Sequence, residues 1–442
     1  MHEKLTKPII YAIYEVEPLS VSFSKYPEYR MDLYQCLIYN IGLKLLTISL
    51  YGISLFMTYI HYQPSQEERL STNIDSIPDL SGKALSIRGP IDPDELGMTL
   101  MHEHLFIENI TTKTRAPTID TPMMQAAFWD HPLTIENLQL VRTRRAFNRD
   151  NSILADMADA IEEANEFRNS GGSTLVDVTS IGIRRDPVSL MKVAMSTGLN
   201  IIAGSSWYVK DSYPDNMDDL TIESLTEVIV RDITKGIGET GIRSGIIGEV
   251  GVQGEPLTNN ELKVIRASAR ASRLTGAPIS FHWGGTGSEK LDVASAVAEE
   301  GGEMSRTIFG HSDMMAGDID LMLELLERGV YIQFDLLGRV GVPLTWDTLN
   351  PDSPWPESQS ISGTALVADA ITKLIEAGFE EKLLISQDVC MKFQLKRYGG
   401  TGYSFIPEVF LPYLRRIGVT EKQIRLLVVD NPKNILTFVK PG

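Results

Sequence analysis

A chain of 442 residues with 41 basic against 58 acidic side chains, a formal charge of −17, is long for one domain yet within reach of a barrel of alternating strands and helices that carries insertions. The acidic balance argues against a nucleic-acid partner or an anionic membrane surface. Its two cysteines, Cys36 and Cys390, lie in segments of different character and exclude a disulfide framework.

Residues 36–60 are almost continuously apolar, broken by Asn40 and Lys44, and a helix of that length can cross a bilayer. A cleaved signal peptide does not fit. A long region bearing Glu3, Glu15, Glu17, Glu28 and Asp32 precedes the run, and no small-residue cleavage pattern follows it. Three readings stay open: an uncleaved membrane anchor, an amphipathic or core-packing helix, and a translation start further on. An anchor would keep the N-terminus in the cytoplasm, because Lys4, Lys7, Lys25 and Arg30 precede the run and Arg69 alone occupies 61–80. Without an anchor a cytoplasmic protein is expected. Residues 63–80, rich in Ser, Pro and acids, read as a linker. The chain thus divides into an N-terminal extension, 1–80, and a C-terminal domain, 86–442.

From residue 86 the pattern turns regular. The runs Thr99–His104, Thr174–Thr179, Ile201–Ser205, Gly245–Val250, Pro278–His282, Thr307–His311, Tyr331–Leu336 and Leu383–Gln387 read as strands. Helical periodicity lies between most of them, as in Ile153–Asn169 and in Asn259–Leu274 behind the N-cap Thr258. Eight strands alternating with helices predict an α/β fold, a (β/α)8 TIM-like barrel with an N-terminal extension containing an apolar helix. An active site would then lie at the carboxyl ends of the strands, shaped by the long loops 105–150 and 338–362.

Those strand ends carry a pattern of their own. His102 and His104, two apart on the first strand, point to one face. Glu249 ends the fourth strand, His282 the fifth, His311 the sixth and Asp388 the eighth. Each alone has a structural explanation: a satisfied core histidine, a solvated rim charge, an N-cap. Six on one barrel mouth point to metal. Four imidazoles with carboxylates suit borderline divalent ions such as Zn, Mn or Fe, and six ligands exceed what one four-coordinate zinc uses, so two ions are expected.

The stretches Gly97-x-Thr-x-x-His-Glu-His-Leu-Phe106, Gly245-Ile-Ile-Gly-Glu-Val-Gly251, Thr275-Gly-Ala-Pro-Ile-x-x-His282, Phe309-Gly-His-Ser-Asp313, Ile385-Ser-x-Asp388 and Asn431-Pro-x-x-x-Leu436 together resemble the phosphotriesterase family of the amidohydrolase superfamily over residues 86–442. The resemblance implies a binuclear metal centre, with His102, His104 and Asp388 on one ion, His282 and His311 on the other, and a strand-four carboxylate bridging them. In the name-giving members that bridge is a carboxylated lysine; here it is Glu249, as in some relatives. Glutamate has the same charge and is shorter, so either the ions sit closer to strand four or that strand rises, and bicarbonate is not needed for assembly.

The activity implied is metal-dependent hydrolysis. A water between two divalent cations, most readily zinc, loses its proton near neutral pH and attacks an ester, lactone, amide or phosphoester of a small organic molecule, with Asp388 as general base. Tyr208 is a candidate substrate contact, since the resembling family has an aromatic residue there and a phenol can hydrogen-bond a carbonyl or phosphoryl oxygen. Arg184, Arg185, Asp335 and Arg339 either face the pocket or cap helices, the arginines reading as solvated surface. Glu103 points away from the two histidines and reads as a supporting or packing residue, Asp313 as one that orients a neighbour, and Cys390 as a packed thiol. The expected partners are a small-molecule substrate, no nucleic acid, a membrane if residues 36–60 anchor the chain, and a second copy in a homodimer. Two other functions stay open: a catalytically silent binding or scaffold barrel, against which all six candidate ligands argue, and a metal-dependent isomerase or decarboxylase.

Overall fold

Short runs of aliphatic and β-branched residues supply eight parallel strands in sequence order: β1 (Thr99–Glu103), β2 (Thr174–Asp177), β3 (Asn200–Ser205), β4 (Ile246–Val250), β5 (Ile279–Phe281), β6 (Thr307–Phe309), β7 (Tyr331–Phe334) and β8 (Leu383–Ile385). The structure is a computed structural model and describes residues 77–109, 117, 121–143, 147–253, 256–282, 289–339 and 363–442. All described residues belong to the unit Thr72–Gly442. The apolar run 36–60 and most of loop 338–362 lie outside them. Among the described residues no helix is long and apolar enough to cross a membrane.

Side chains alternate along each strand and sort into two layers. Leu175, Ile201, Ile247, Ile279, Phe309, Ile332 and Leu383 pack outward with residues of the surrounding helices. Met101, Val176, Ile202, Ile246, Ile308, Tyr331 and Leu384 form a separate inner cluster, joined by Ala84, Leu96, Ile435 and Leu436 from outside the barrel strands. The helices that alternate with the strands are α1 (Met157–Asn169), α2 (Pro187–Thr197), α3 (Ile222–Thr234), α4 (Asn259–Thr275), α5 (Glu289–Glu299), α6 (Ile319–Glu327) and α7 (Thr364–Glu376), with short helices Met123–Ala126 and Ile135–Arg142 in the loop after β1 and further helical segments through Leu436. Helix α4 begins where expected, with a capping box between Thr258 and Glu261. Helix α1 begins later than its periodicity suggests. Ile153–Leu154 pairs antiparallel with Ile107–Glu108, and the Asp156 carboxylate, accepting from Ala158 N and Asp159 N, sets the first turn.

The sheet is curled nearly closed, and β1 meets β8 chiefly through side chains. The buried Glu103 carboxylate accepts from Ser386 Oγ at 2.7 Å, Gln387 N at 2.8 Å and Val389 N at 2.9 Å. Ser386 Oγ also accepts from His102 N at 2.9 Å. Burial pushes the Glu103 carboxyl up to about 7 even against these donors.

Candidate metal centre

Two strands that end in candidate ligands slip register by one residue. Leu100 pairs with Leu175 while Glu103 pairs with Asp177, and Ile247 pairs with Ile279 while Val250 pairs with Phe281. An extra residue re-aims the side chains beside it. Met101 can therefore join the inner cluster while its neighbour His102 faces the mouth, and the end of β4 lifts Glu249 inward. Gly248 makes the second slip feasible: its φ is +145°, and a Cβ there would lie 2.4 Å from the Ser280 carbonyl oxygen. His311 and Asp388 both adopt left-handed backbone, φ 49° and 47°, at a cost of order 1–3 kcal/mol each for a non-glycine residue. Asp335 Oδ1 holds His311 N at 3.0 Å, and the His102 carbonyl holds Asp388 N at 3.0 Å.

The six expected residues converge. Glu249 Oε1 lies 3.3 Å from His104 Nε2, and its Oε2 lies 3.2 Å from His102 Nε2 and 2.7 Å from His282 Nδ1. Asp388 Oδ1 is 3.3 Å from His104 Nε2, Asp388 Oδ2 is 4.0 Å from His311 Nε2, and His311 Nε2 is 3.1 Å from His282 Nδ1. His102, His104 and Asp388 offer one set of ligand atoms; Glu249, His282 and His311 offer a second. The Glu249 carboxylate faces both sets.

Electrostatics suit a cation. Burial disfavours the Glu249 carboxylate, but the imidazoles of His282, His104 and His102 outweigh it and hold the group well below the usual carboxylate range. Burial likewise works against Asp388, and Arg339 with the neighbouring histidines keeps it lowered. Burial lowers His282, so its ring keeps a lone pair to offer. His102 Nε2 is buried, and although close to Glu249 it has no aligned hydrogen-bond partner. A buried nitrogen without an aligned partner, the lowered His282 imidazole and ionised carboxylates form a donor set that fits borderline divalent ions.

Asp335, read from the sequence as a pocket-facing or capping residue, is the organising group behind the candidate ligands. Its Oδ1 lies 2.6 Å from His311 Nδ1, and its Oδ2 lies 3.1 Å from His102 Nδ1 and 2.7 Å from Gln333 Nε2. One carboxylate thus fixes a histidine from each set. Burial opposes its charge, yet His311 and His102 hold it well below the ordinary range. Asp313 orients it in turn, Oδ2 accepting from Asp335 N at 2.7 Å. His104 Nδ1 is 2.8 Å from Thr179 Oγ1, which leaves Nε2 toward the centre. The available signal was alternation on β7: Tyr331, Gln333 and Asp335 share the inward face.

The remaining candidates scatter. Tyr208 is buried at the mouth, its ring edge-on to His282 at 4.8 Å and its hydroxyl 3.5 Å from His282 Nε2. Arg184 is exposed and pairs with Glu108. Arg185 binds buried Asp232 at 2.6 Å and ties the segment after β2 to α3. Arg339 departs from the solvated-surface reading: its Nη2 contacts Asp388 Oδ2 directly. Cys390 is a buried thiol, as expected.

A parallel (β/α)8 barrel with histidines and carboxylates gathered at the strand ends defines a metal-dependent hydrolase. The family model described as "Phosphotriesterase family" matches residues 82–436, and the chain belongs to that family. It is similar to proteins named N-acetyltaurine hydrolase from Salmo salar, 32% identical over 360 residues, and from Homo sapiens, 33% over 365 residues; each alignment covers 81% of this chain and 99% of the relative. Among solved structures it is similar to a resiniferatoxin-binding protein from Rhodobacter sphaeroides, with TM-score 0.73 and 32% identity over 80% of this chain and 95% of that one.

Proposed function

We propose that the chain hydrolyses the amide of a small N-acyl amine, with His102, His104 and Asp388 holding one divalent ion, His282 and His311 holding a second, and Glu249 shared between them. The observation that carries this reading is the Glu249 carboxylate, with one oxygen toward His104 and the other toward His102 and His282. The relatives named N-acetyltaurine hydrolase, matched over 99% of their length, favour an amide over the ester, lactone or phosphoester otherwise open to this fold. Zinc is the ion that four imidazoles with carboxylates favour, ahead of manganese or iron.

A pair of such ions supplies an acidified water and a Lewis acid for the scissile carbonyl. The chain's own groups do the rest. Asp335 keeps His102 and His311 aimed inward, and Thr179 does the same for His104. The Asp388 carboxylate is buried at the mouth and kept ionised, which suits it to take a proton from the attacking water and deliver it to the leaving nitrogen. Tyr208, packed on His282, closes one side of the mouth and excludes water there.

Elemental analysis and a substrate panel test this. About two ions per chain and chelator-sensitive turnover of N-acyl amines ahead of esters, lactones and phosphotriesters are expected. One ion or fewer after reconstitution would sink the shared-carboxylate assignment, and preferential turnover of another class would sink the amide.

A further inference from the structure

Strand β8 ends at Ile385, yet every backbone N–H from Ser386 through Met391 is held. Ser386 N donates to the Phe334 carbonyl at 2.8 Å and Asp388 N to the His102 carbonyl at 3.0 Å, while Gln387 N and Val389 N donate to the two oxygens of Glu103. The last two, Cys390 N and Met391 N, donate to one atom, Gln394 Oε1, at 3.0 and 2.9 Å. Gln394 Nε2 donates in turn to the Asp388 carbonyl at 2.9 Å. The Gln394 side chain is buried and its partners are main-chain groups of fixed polarity. Exchanging its oxygen and nitrogen would set N–H against N–H and oxygen against oxygen, so the orientation of the amide is determined.

Asp388 is thus gripped from both sides. Glu103 holds the residues before and after it, and Gln394 holds its carbonyl and the two N–H groups that close the turn. Between them Asp388 keeps left-handed backbone, φ 47°, a conformation that a non-glycine residue retains only where its surroundings over-determine it. A short side chain follows its backbone, so this turn decides where the carboxylate points. Gln394 also caps its own short helix, Lys392–Gln394, by accepting from Met391 N. A cap needs only an acceptor. The Nε2 bond to the Asp388 carbonyl is additional, and it is the one that reaches the site. The short helix is itself held from the loop after β1, where Asn151 Oδ1 accepts from Phe393 N at 3.1 Å and Asp150 pairs with Lys392.

We infer that Gln394 is a positioning residue of the metal centre, its amide locking the left-handed turn that aims the Asp388 carboxylate at His104. This rests on the reading of Asp388 as a ligand of the ion shared with His102 and His104. It goes further by naming a residue that acts on that ion only through the backbone, with both ends of its amide in use.

The test is chelator competition on the full-length, zinc-loaded protein, which gives one constant for each ion, and Asp388→Ala marks the constant that depends on Asp388. Gln394→Met keeps length and burial but loses all three bonds. It is expected to weaken the marked constant by about 10- to 100-fold, the usual effect of disturbing a group that orients a metal ligand, and to leave the other within about threefold. Gln394→Glu keeps the acceptor for Cys390 N and Met391 N, and with it the cap, but sets an oxygen against the Asp388 carbonyl. Its added charge would by itself attract a cation, so a fall in the marked constant reports lost aim. Both constants within threefold in Gln394→Met, or an equal fall in both, would overturn the inference. So would a fall in Gln394→Met with none in Gln394→Glu, which would leave Gln394 as a helix cap alone. If Gln394→Met does not fold, Gln394→Glu decides. If Asp388→Ala moves neither constant, the ligand reading itself fails and the inference falls with it.

Discussion

Replacing Asp335 by asparagine removes one charge and turns one acceptor into a donor, and the geometry says where the damage falls. With the amide oxygen in the Oδ1 position, His311 keeps its contacts to the main-chain N at 3.0 Å and Nδ1 at 2.6 Å. The new NH2 then faces His102 Nδ1 and Gln333 Nε2, which lie 3.1 and 2.7 Å from the original Oδ2. His102 must accept at Nδ1, so its proton moves to Nε2, the nitrogen aimed at the centre. The opposite amide orientation sets NH2 against the His311 N–H and is worse. Disturbing a group that orients a metal-binding histidine costs roughly 10–100-fold in metal affinity, about 1.4–2.7 kcal/mol. The loss should therefore fall chiefly on the ion shared by His102, His104 and Asp388, with the second ion weakened less. Chelator competition with elemental analysis gives both constants. Two constants within threefold of the unaltered protein would show that Asp335 does not orient His102.

Glu249→Gln keeps the shape and loses the shared charge, so one ion should be lost and turnover should fall by roughly 10²–10⁴; unchanged ion content and rate would place the shared carboxylate elsewhere. Glu163 on α1 is pushed by burial up to about 7, and its Oε2 is buried without a partner. A raised carboxyl contributes stability that is complete below about 4.5 and lost as pH rises through about 7, at most about 3 kcal/mol in all. Glu163→Gln should accordingly raise Tm more at pH 8 than at pH 5, and equal shifts at the two pH values would refute the burial argument. Ile77 and Leu80 pack on the core, and Gly82 N donates to the Phe438 carbonyl. A chain starting at Thr72 is therefore expected to fold and load metal. If it is metal-free while the full chain is not, the boundary lies earlier.

Much of the barrel was legible because fully buried parallel strands read as short apolar runs bounded by turns. The six residues that converge at the mouth were legible for the same reason: they close those runs. What the pattern hid was the inner support. Asp335 looks in sequence like a polar residue past a strand end, and only closure of the barrel brings one carboxylate to His102 and His311, which lie far apart along the chain. Arg339 was misread because an arginine in a loop is usually solvated, whereas the turn at Gly338 folds this one back onto Asp388. The start of α1 was misplaced because helical periodicity also fits Ile153 and Leu154, and their pairing with Ile107 and Glu108 is a tertiary event.

The joint between β1 and β8 gives the ions a second consequence. His102 and Ser386 meet there across a separation of 284 residues, and Glu103 pins the joint from the face opposite the site. On the proposed assignment, an ion held by His102, His104 and Asp388 would act as a reversible cross-link between the first and last strands. Because the unfolded chain cannot keep those three groups together, the fold would then be linked to free metal by mass action, about 2.7 kcal/mol for each ion at a hundredfold excess over its Kd. A chelator would then withdraw more than activity: it would remove the tie that keeps the ring shut.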